Sequence, residues 1–465
     1  SKIELSVVEA ESGYEIVDVD NRIRGRINCG PIATRHWSDL LPAREKSFEV
    51  EWFPDGEIGV PFKSYDMFAH GVTDSLPLAY VEKEGAVTRT LFSLEASGNE
   101  CFAGTGERFA KMDLSGRTIT LENADGLGVN SARTYKNVPF YMSSRPYGLF
   151  VHTSAKTQLS FADISTRSAQ GMVEEDRLDL FLIGGGNLQN VLRNYCSLTG
   201  FSPEVPLWSY GIWMSRMSYF SPDEITTVAR RLREEEFPCD VLHIDTGWFK
   251  EDWVCDWKFC QEKFPNPEQY ISELREAGYR ITLWQTPDIS RKSDVAAHAE
   301  EMGYLPSVDA TAEAGSDFSM QDICGPIDFS NPDACNWYKN DLLKPLLQMG
   351  VAAIKTDFGE NIPMQASYHS LPASLLRNRY ALLYQKAAFE ISEELYGEGN
   401  ALVWARAGWA GCQRYPVHWG GDAESSWEGM AGSLKGGLHL GLSGFSYWSH
   451  DVPGFHGSPD FMNSW

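Results

Sequence analysis

The sequence is poor in positive charge and has no long apolar run. Lys and Arg number 40 against 64 Asp and Glu, so the net charge is -24. Such a chain is repelled by phosphate backbones and anionic lipid, so neither a nucleic acid nor a membrane is expected as a partner. No window approaches the roughly 20 apolar residues of a transmembrane helix, and the first residues, SKIELSVVEAE, lack the basic-then-apolar pattern of a signal peptide.

Cysteine pairs, glycosylation sequons and metal-binding motifs are also missing. The nine cysteines show neither CxxC nor disulfide-framework spacing, and no N-x-S/T sequon occurs. The chain therefore favours a reducing, cytoplasmic setting. Cys255 and Cys260 are the closest pair, but no second Cys or His pair lies near them in the sequence, so we predict packed thiols and no metal site there.

Short alternating runs dominate residues 1–205. At 465 residues the chain is long enough for one large core or two. Runs of alternating polar and apolar residues, separated by Gly, Asn, Pro and Ser, are typical of an antiparallel β-sandwich, and we predict one over residues 1–205. The runs are YEIVDVD, SFEVEWF, TRTLFSL, RTITLEN, YGLFVHT and RLDLFLI.

From Pro206 to Trp465 the pattern changes to apolar strand runs followed by amphipathic helical runs. Seven such openings predict a parallel (β/α)8 barrel of the TIM type over residues 206–465. The chain stops at FMNSW soon after the seventh run, so we expect a barrel truncated before its eighth strand, completed by a further segment or another chain. The runs are WSYGIWMS, CDVLHID, RITLWQT, VAAIKTDF, ALVWARA, PVHWGGD and GFSYWSHD.

Polar side chains collect at the C-terminal ends of these runs, where parallel barrels carry their catalytic residues. The most prominent stretch is VAAIKTDFGENIP (351–363), in which a buried strand gives way to Lys355 and Asp357. Taken alone, this pair fits an ion pair that caps a strand as well as it fits catalysis. The other strand-end residues are Asp245, Trp284, Arg406, Trp419, Asp422, His450 and Asp451.

Aromatic rings and acids at one barrel mouth suit a sugar, whose C–H faces stack on rings while its hydroxyls bond to charged groups. Two carboxylates on different strands can divide glycoside cleavage between a nucleophile and a general acid. Lys355 would keep Asp357 ionised, whereas Asp422, with Trp419 and Trp427 nearby, would more easily hold a proton. The strand ends therefore predict a glycosidase.

Histidine offers an alternative chemistry at the same strand ends. His243, His418 and His450 would suit a metal ion, but each belongs to a different strand. Packed or hydrogen-bonded roles are therefore favoured for His243 and His418. His450, at a strand end, stays a candidate for the pocket.

Several ordered motifs resemble glycoside hydrolase family 31, specifically its α-xylosidase-like branch. They are GERF (106–109), YKNVPFYM (135–142), KTDFGE (355–360), HWGGD (418–422) and GLSGFSYWSHDVPGF (441–455). The resemblance implies a β-sandwich followed by a (β/α)8 barrel, without the family's C-terminal β-domains. It also implies a retaining exo-α-glycosidase that needs no metal or cofactor and acts on a terminal α-xylosyl residue of a small oligosaccharide or other α-glycoside.

By this resemblance Asp357 is the nucleophile and Asp422 the general acid/base. Asp245 and Arg406 would bind sugar hydroxyls, and Lys355 would lie beside the nucleophile. The remaining implied positions are Trp284, Trp419 and Phe455, which would line the pocket, and Asp125, on a sandwich loop that reaches over the mouth. Core packing is the alternative for the three aromatic residues.

Departures from the family pattern leave the choice between xylose and glucose open. Ser218 stands where the pattern has Phe, Thr246 and Gly247 replace a Cys-Phe pair after Asp245, and the Trp expected before DFSNPDA is absent from MQDICGPI. In the family these positions surround the C5 substituent of the sugar, so mixed activity is expected. An α-glucosidase, a transglycosylase and a non-catalytic sugar-binding protein are the alternatives, and the sequence leaves a homo-oligomer open.

Overall fold

The computed structural model describes residues 78–308 and 322–457, together with four short strands before Leu78. The chain divides into two compact units, here named the sandwich unit and the barrel unit. The sandwich unit comprises Ser1–Glu122, Asn137–Thr199 and Leu434–Gly444, and the barrel unit comprises Asn123–Lys136, Gly200–Ser433 and Phe445–Trp465. The loop Asn123–Lys136 therefore belongs to the barrel unit.

The sandwich unit is built from antiparallel strands. Its strands are β1 (Leu5–Ala10), β2 (Gly13–Asp18), β3 (Ile23–Asn28), β4 (Glu57–Gly59), β5 (Leu78–Lys83), β6 (Ala86–Glu95), β7 (Phe102–Gly106), β8 (Arg117–Leu121), β9 (Asn137–Ser143), β10 (Tyr147–Val151), β11 (Thr157–Phe161), β12 (Ser168–Val173) and β13 (Leu180–Gly184). They form sheets in the orders β1-β2-β3, β13-β10-β9-β7 and β4-β5-β6-β12-β11-β8. The run SFEVEWF (47–53) lies outside the described residues.

Two of these sheets pack face to face, which confirms the predicted sandwich. Phe102 in β7 stacks on Phe161 in β11 at a ring-centroid distance of 5.0 Å, and Tyr141 in β9 meets the same ring edge-on at 4.9 Å. All three residues are buried. Helix α1 (Leu188–Thr199) follows β13 and covers the four-stranded sheet, with Tyr195 stacked on Phe140.

The barrel unit contains a seven-stranded parallel sheet whose spatial order follows the sequence. Each predicted strand run supplies one strand. They are β14 (Trp213–Met214), β15 (Val241–Ile244), β16 (Arg280–Gln285), β20 (Ala353–Thr356), β22 (Val403–Ala405), β23 (His418–Trp419) and β24 (Trp448–Ser449). Two antiparallel pairs, β17 (Asp288–Ser290) with β19 (Ile323–Pro326) and β18 (Ser307–Val308) with β21 (Ala366–Ser367), lie in the loops.

The parallel sheet curls around a filled interior. Trp404 in β22 contacts Trp213 in β14, with ring centroids 5.2 Å apart, and also His243 in β15 at 4.8 Å. Tyr210 and Tyr447, which precede the two edge strands, are in ring contact at 6.3 Å. Curling directs all seven C-terminal strand ends toward one mouth.

Helices connect the strands, as the predicted alternation requires. The first α-helix of the barrel unit, α2, is capped: the hydroxyl of Ser221 accepts from the backbone N–H of Glu224, and Pro222 takes the first helical position. No helix in the described part of the chain is long and apolar enough to cross a bilayer. The helices are α2 (Pro222–Glu234), α3 (Pro267–Glu276), α4 (Ala296–Glu301), α5 (Pro332–Trp337), a π-helical segment (Tyr338–Leu343), α6 (Lys344–Gln348), α7 (Ala373–Tyr396) and α8 (Trp427–Gly441).

Buried histidines are hydrogen-bonded inside the barrel unit. Nε2 of His418, in β23, lies 3.1 Å from the Oε1 of Gln385 in α7. Burial, with a smaller contribution from the ammonium of Lys136, lowers the pKa of His418 to about 3. Nδ1 of His243 lies 2.9 Å from the hydroxyl of Thr282. No group of three or more His, Cys, Asp or Glu in the described ranges is arranged to hold a metal ion.

A glycine in the sandwich core gives a test of packing. Gly171 in β12 pairs with Phe92 in β6, and a Cβ at Gly171 would collide with the Phe92 ring. We expect Gly171→Ala to lower the free energy of unfolding by about 1–3 kcal/mol, because the ring cannot move within a close-packed core. Urea unfolding measures this effect. Gly98→Ala is the control, since nothing lies within 4 Å of its added methyl group, and an equal loss in both variants would contradict the packing explanation.

The buried ring of His418 predicts a dependence of stability on pH. The folded protein holds this ring neutral, whereas the unfolded chain takes up a proton below its ordinary pKa of about 6.5, so wild-type stability falls as the pH drops below that value. His418→Gln removes the titration. We expect the variant to be less stable by about 1–2 kcal/mol above pH 7 and the gap to narrow toward pH 5. Urea unfolding at each pH measures the gap, and a gap independent of pH would contradict this account.

Candidate active site

Charged side chains from successive strands meet at the C-terminal edge of the parallel sheet. Asp245 directly follows β15, Lys355 lies near the end of β20, and Asp357 follows that strand. The Nζ of Lys355 is 3.0 Å from Oδ2 of Asp245 and 3.8 Å from Oδ2 of Asp357. Three of the predicted site residues are therefore in direct contact.

Lys355 is buried among rings as well as carboxylates. Its Nζ lies 4.8 Å from the ring centroid of Trp419 and 5.0 Å from that of Trp404. Burial by itself lowers the pKa of a lysine, but the carboxylates of Asp245 and Asp357 outweigh it and raise the pKa of Lys355. Burial would raise the pKa of Asp245, yet the neighbouring ammonium holds it below its ordinary value. Lys355 and Asp245 are therefore both charged at neutral pH.

The guanidinium of Arg406, which follows β22, is shared among four carboxylates. Its Nε lies 3.2 Å from Oδ1 of Asp357, and one terminal nitrogen lies 3.5 Å from Oδ2 of Asp422. The other terminal nitrogen donates to Oε1 of Glu360 and lies 3.6 Å from Oδ2 of Asp125. Arg406 is 2% exposed and Glu360 is 0% exposed, so water screens these attractions little.

Two aromatic rings lie against the same guanidinium. Its central carbon is 4.2 Å from the ring centroid of Phe358 and 4.7 Å from that of Tyr135. Cation–π attraction adds to the ion pairs. Arg406 therefore has contacts from rings and from carboxylates that together limit its movement.

The backbone after β20 explains how one short segment supplies several of these contacts. Phe358 has a φ of 59° and Gly359 a φ of 89°, both in the left-handed region. Two such residues in succession reverse the direction of the chain, so Asp357, Phe358 and Glu360 all face Arg406. Any Cβ at Gly359 would also lie 3.2 Å from the ring of Tyr384.

Asp422 lies on the loop after β23, and its electrostatic surroundings differ from those of Asp357. Burial raises the pKa of Asp422, and the negative charge of Asp357 adds to this, while Arg406 opposes it. Gly421, with a φ of 74°, leaves no room for a side chain, because a Cβ there would collide with the Tyr135 ring. This glycine lets Asp422 approach the other charged groups.

The two buried tryptophans among the predicted pocket residues contact the charged groups directly. The indole N–H of Trp284 donates to Oδ2 of Asp357 over 2.7 Å, and Trp419 lies beneath the ammonium of Lys355. Each is 1% exposed. Their contacts therefore fix charged side chains, and their role in lining a sugar pocket stays a prediction.

Phe455 and His450 lie in the last described segment of the chain. Phe455 is 41% exposed, and its backbone N–H donates to the carbonyl of Ala423 over 2.7 Å, which ties it to the loop after Asp422. The ring of His450 stacks on Trp448 at 5.0 Å, and burial lowers its pKa. Phe455 therefore offers an open aromatic face, whereas a substrate contact for His450 stays a prediction.

The loop Asn123–Lys136 brings Asp125 into the barrel unit. Oδ1 of Asp125 accepts from the hydroxyl of Tyr135 over 3.0 Å and from the backbone N–H of Leu127 over 2.8 Å. Glu424, two residues after Asp422, accepts from the backbone N–H of Val129 over 3.0 Å. The loop is thus fixed at both its tip and its base.

Lys136 ends this loop and holds two strand ends together. Its buried ammonium donates to the backbone carbonyls of Arg406, over 3.1 Å, and Trp419, over 2.7 Å. The carbonyl of Arg406 comes directly after β22. The carbonyl of Trp419 lies at the end of β23, the strand that precedes Asp422. The lysine therefore fixes the spacing of the two loops that carry the site.

Sequence reasoning missed several members of this site. The motif KTDFGE contains Glu360, and the motif YKNVPFYM contains Tyr135 and Lys136. The sequence assigned no role to these three residues. Lys136, the one charged residue of YKNVPFYM, and Glu360, the second acid of KTDFGE, were the available signals. Asp451 was noted only as a strand-end residue; burial raises its pKa to about 7, with Lys355 opposing the shift.

Two family profiles match the sequence. The glycosyl hydrolases family 31 TIM-barrel domain matches residues 202–465, and the glycosyl hydrolase 31 N-terminal galactose mutarotase-like domain matches residues 36–159. An alpha-xylosidase of Emericella nidulans is 36% identical over 410 residues, covering 86% of this chain and 52% of that protein. Alpha-xylosidase XylQ of Lactiplantibacillus pentosus is 34% identical, covering 78% and 48%. The chain thus spans about half the length of these curated relatives.

Solved structures share the fold at lower identity. A cycloalternan-forming enzyme from Listeria monocytogenes, in complex with a pentasaccharide substrate, superposes with a TM-score of 0.78 at 19% identity, over 98% of this chain and 44% of that one. A Flavobacterium johnsoniae GH31 dextranase complexed with glucose gives a TM-score of 0.76 at 22% identity, over 97% and 53%. The profiles that match residues 36–159 and 202–465, together with the two alpha-xylosidases above 30% identity, show that this chain belongs to glycosyl hydrolase family 31.

Proposed function

We propose that this chain carries the catalytic site of a retaining exo-α-glycosidase that removes terminal α-xylosyl residues from oligosaccharides. One observation carries the proposal: a single guanidinium, that of Arg406 after β22, contacts two carboxylates that follow the strands on either side of it, Asp357 after β20 and Asp422 after β23. Asp357 is also held by the ammonium of Lys355 and the N–H of Trp284. Asp422 lacks such a set of donors among its described contacts.

The unequal surroundings assign the two roles. Two cations and an N–H donor stabilise the carboxylate form of Asp357, which suits attack on an anomeric carbon. The raised pKa of Asp422 suits a group that must hold a proton until the glycosidic oxygen leaves. Asp357 would then carry the glycosyl group, and Asp422 as carboxylate would take a proton from the water that releases it.

Specificity for an α-xyloside is supported by the named relatives, and two of the departures from the family pattern lie in direct contact with each other. The relatives at 36% and 34% identity are both named alpha-xylosidases. Gly247 and Ser218, two of the departures from the family pattern, touch each other: the backbone N–H of Gly247 donates to the Ser218 hydroxyl over 2.6 Å. A Cβ at Gly247 would lie 2.6 Å from that hydroxyl and 2.7 Å from the carbonyl of Tyr219. The departures therefore form one tight unit that leaves no space for a larger residue at 247.

The two carboxylates are tested by replacement in the complete native protein. We expect Asp357→Ala to lower kcat/KM for an aryl α-xyloside by about 10⁴-fold or more, because no covalent glycosyl-enzyme can form. Asp422→Ala should retain the first step with a good leaving group and should be accelerated by azide, giving an α-xylosyl azide. Initial rates and NMR of the azide product measure both effects.

Two further outcomes would count against these roles. A β-configured azide product would contradict retention, and wild-type activity in Asp357→Ala would contradict the nucleophile. Glu390→Gln is a suitable control. Glu390 lies away from this site and forms an ion pair with Lys339, with an N–O distance of 3.0 Å. Its kcat/KM should equal that of the wild type.

The choice of sugar is tested by comparing substrates. We expect kcat/KM for an aryl α-xyloside to exceed that for the aryl α-glucoside by no more than about 200-fold, because accommodating or excluding one hydroxymethyl group is worth only about 1–3 kcal/mol. The aryl β-xyloside, of opposite anomeric configuration, is the control and should not react. A preference for the α-glucoside would overturn the xylosidase assignment and leave the glycosidase assignment intact.

A further inference from the structure

Glu360 makes the closest of the contacts to Arg406, yet the proposed reaction gives it no role. Its Oε1 accepts from a terminal nitrogen of the guanidinium. Both side chains are almost fully removed from water. A charge-assisted hydrogen bond between groups this deeply buried restricts both partners strongly, since neither can exchange the other for water.

Asp125 shares the terminal nitrogen that donates to Glu360, and the two proposed catalytic carboxylates lie at the other two nitrogens of the guanidinium. Nε faces Asp357 and the second terminal nitrogen faces Asp422, at 3.2 and 3.5 Å. Phe358 and Tyr135 lie against the guanidinium and oppose tilting of its plane. Glu360 then opposes rotation within that plane, because it holds one end of the group.

Glu360 itself is fixed by the backbone and is distant from solvent. It follows the two left-handed residues Phe358 and Gly359, and the crowding of Tyr384 against Gly359 restricts movement of that turn. Its second oxygen, Oε2, is buried and has no hydrogen-bond partner in the described part of the chain. Only the contact to Arg406 therefore neutralises the carboxylate.

We propose, on the basis of the function proposed above, that Glu360 is a positioning residue. It holds Arg406 so that the two guanidinium nitrogens that Glu360 does not contact face the nucleophile and the acid/base. It does not touch the reacting atoms. It acts through Arg406, whose orientation decides how much positive charge each of the two carboxylates receives.

This role predicts an effect on proton transfer as well as on rate. Removing the negative charge of Glu360 leaves more of the Arg406 charge to stabilise the ionised form of Asp422, so the pKa of Asp422 falls. The basic limb of the kcat/KM profile, which follows loss of the proton from Asp422, then moves to lower pH. Among the described residues, the other charged or titratable groups that act on Asp422, Arg406 or Glu360 are Asp125, Tyr135, Asp288, Lys355, Asp357 and Asp451, and they are the same in variant and wild type.

The test compares Glu360→Gln and Glu360→Ala in the complete native protein, with an aryl α-xyloside. Gln keeps an oxygen that accepts from Arg406 but removes the charge, whereas Ala removes both. We expect kcat to fall about 10-fold for Gln and about 100-fold for Ala with little change in KM, as misplacement of a group beside the reacting atoms does. The basic limb should move to lower pH in Gln.

Glu100→Gln is the matched control, since Glu100 is also a buried carboxylate, accepts from the backbone N–H of Ser97 over 3.1 Å and lies in the sandwich unit. It should change thermal stability without moving the pH profile. Wild-type kcat and an unmoved limb in Glu360→Gln, beside an inactive Asp357→Ala, would overturn the positioning role alone. Absence of hydrolysis by the wild-type protein would overturn the proposed function and this role together. If Glu360→Ala does not fold, the limb of Glu360→Gln alone decides.

Discussion

The buried cations Lys355 and Arg406 are the constraint on which the rest of the site depends. Around them lie Asp125, Asp245, Asp357, Glu360, Asp422 and Asp451. Two positive charges cannot neutralise six carboxylates, and ions without partners are expensive where water is excluded. Burial and the neighbouring like charges therefore raise the pKa values of some of these carboxyl groups. Those with raised pKa values are Glu360, Asp422 and Asp451.

This imbalance is also what makes the two proposed catalytic groups different. Among the described ion pairs, Asp357 contacts both Lys355 and Arg406, whereas Asp422 contacts only Arg406. The same cluster of charge can therefore place two carboxyl groups in unlike electrostatic surroundings. A reaction that needs a nucleophile and an acid side by side depends on such a difference between the surroundings of the two carboxyl groups.

Holding like charges together requires a rigid frame, and the barrel unit provides it with several unusual contacts. Lys136 joins the ends of two strands through their carbonyls, and Glu424 fixes the loop that carries Asp125. Trp284 and Trp419 use their buried rings to contact Asp357 and Lys355. Each of these contacts joins segments that are distant in the sequence.

The sequence by itself determined the elements and the identity of the main acids. Strand runs such as VAAIKTDF and PVHWGGD were found because alternation, apolar character and flanking glycines are local properties. Asp357 and Asp422 were found because their motifs resemble a family. The antiparallel runs of the first part likewise predicted a sandwich, which the stacking of Phe102 on Phe161 confirms.

Only the tertiary structure decided how these residues divide the charge. The reversal at Phe358 and Gly359, which turns Glu360 toward Arg406, depends on dihedral angles that no local pattern specified. The loop Asn123–Lys136 lies between the sandwich strands β8 and β9 in the chain, yet it belongs to the barrel unit. Ion pairs and carbonyl contacts of this kind form between residues tens to hundreds of positions apart, so they are set by how the whole unit packs and are invisible in any single stretch of sequence.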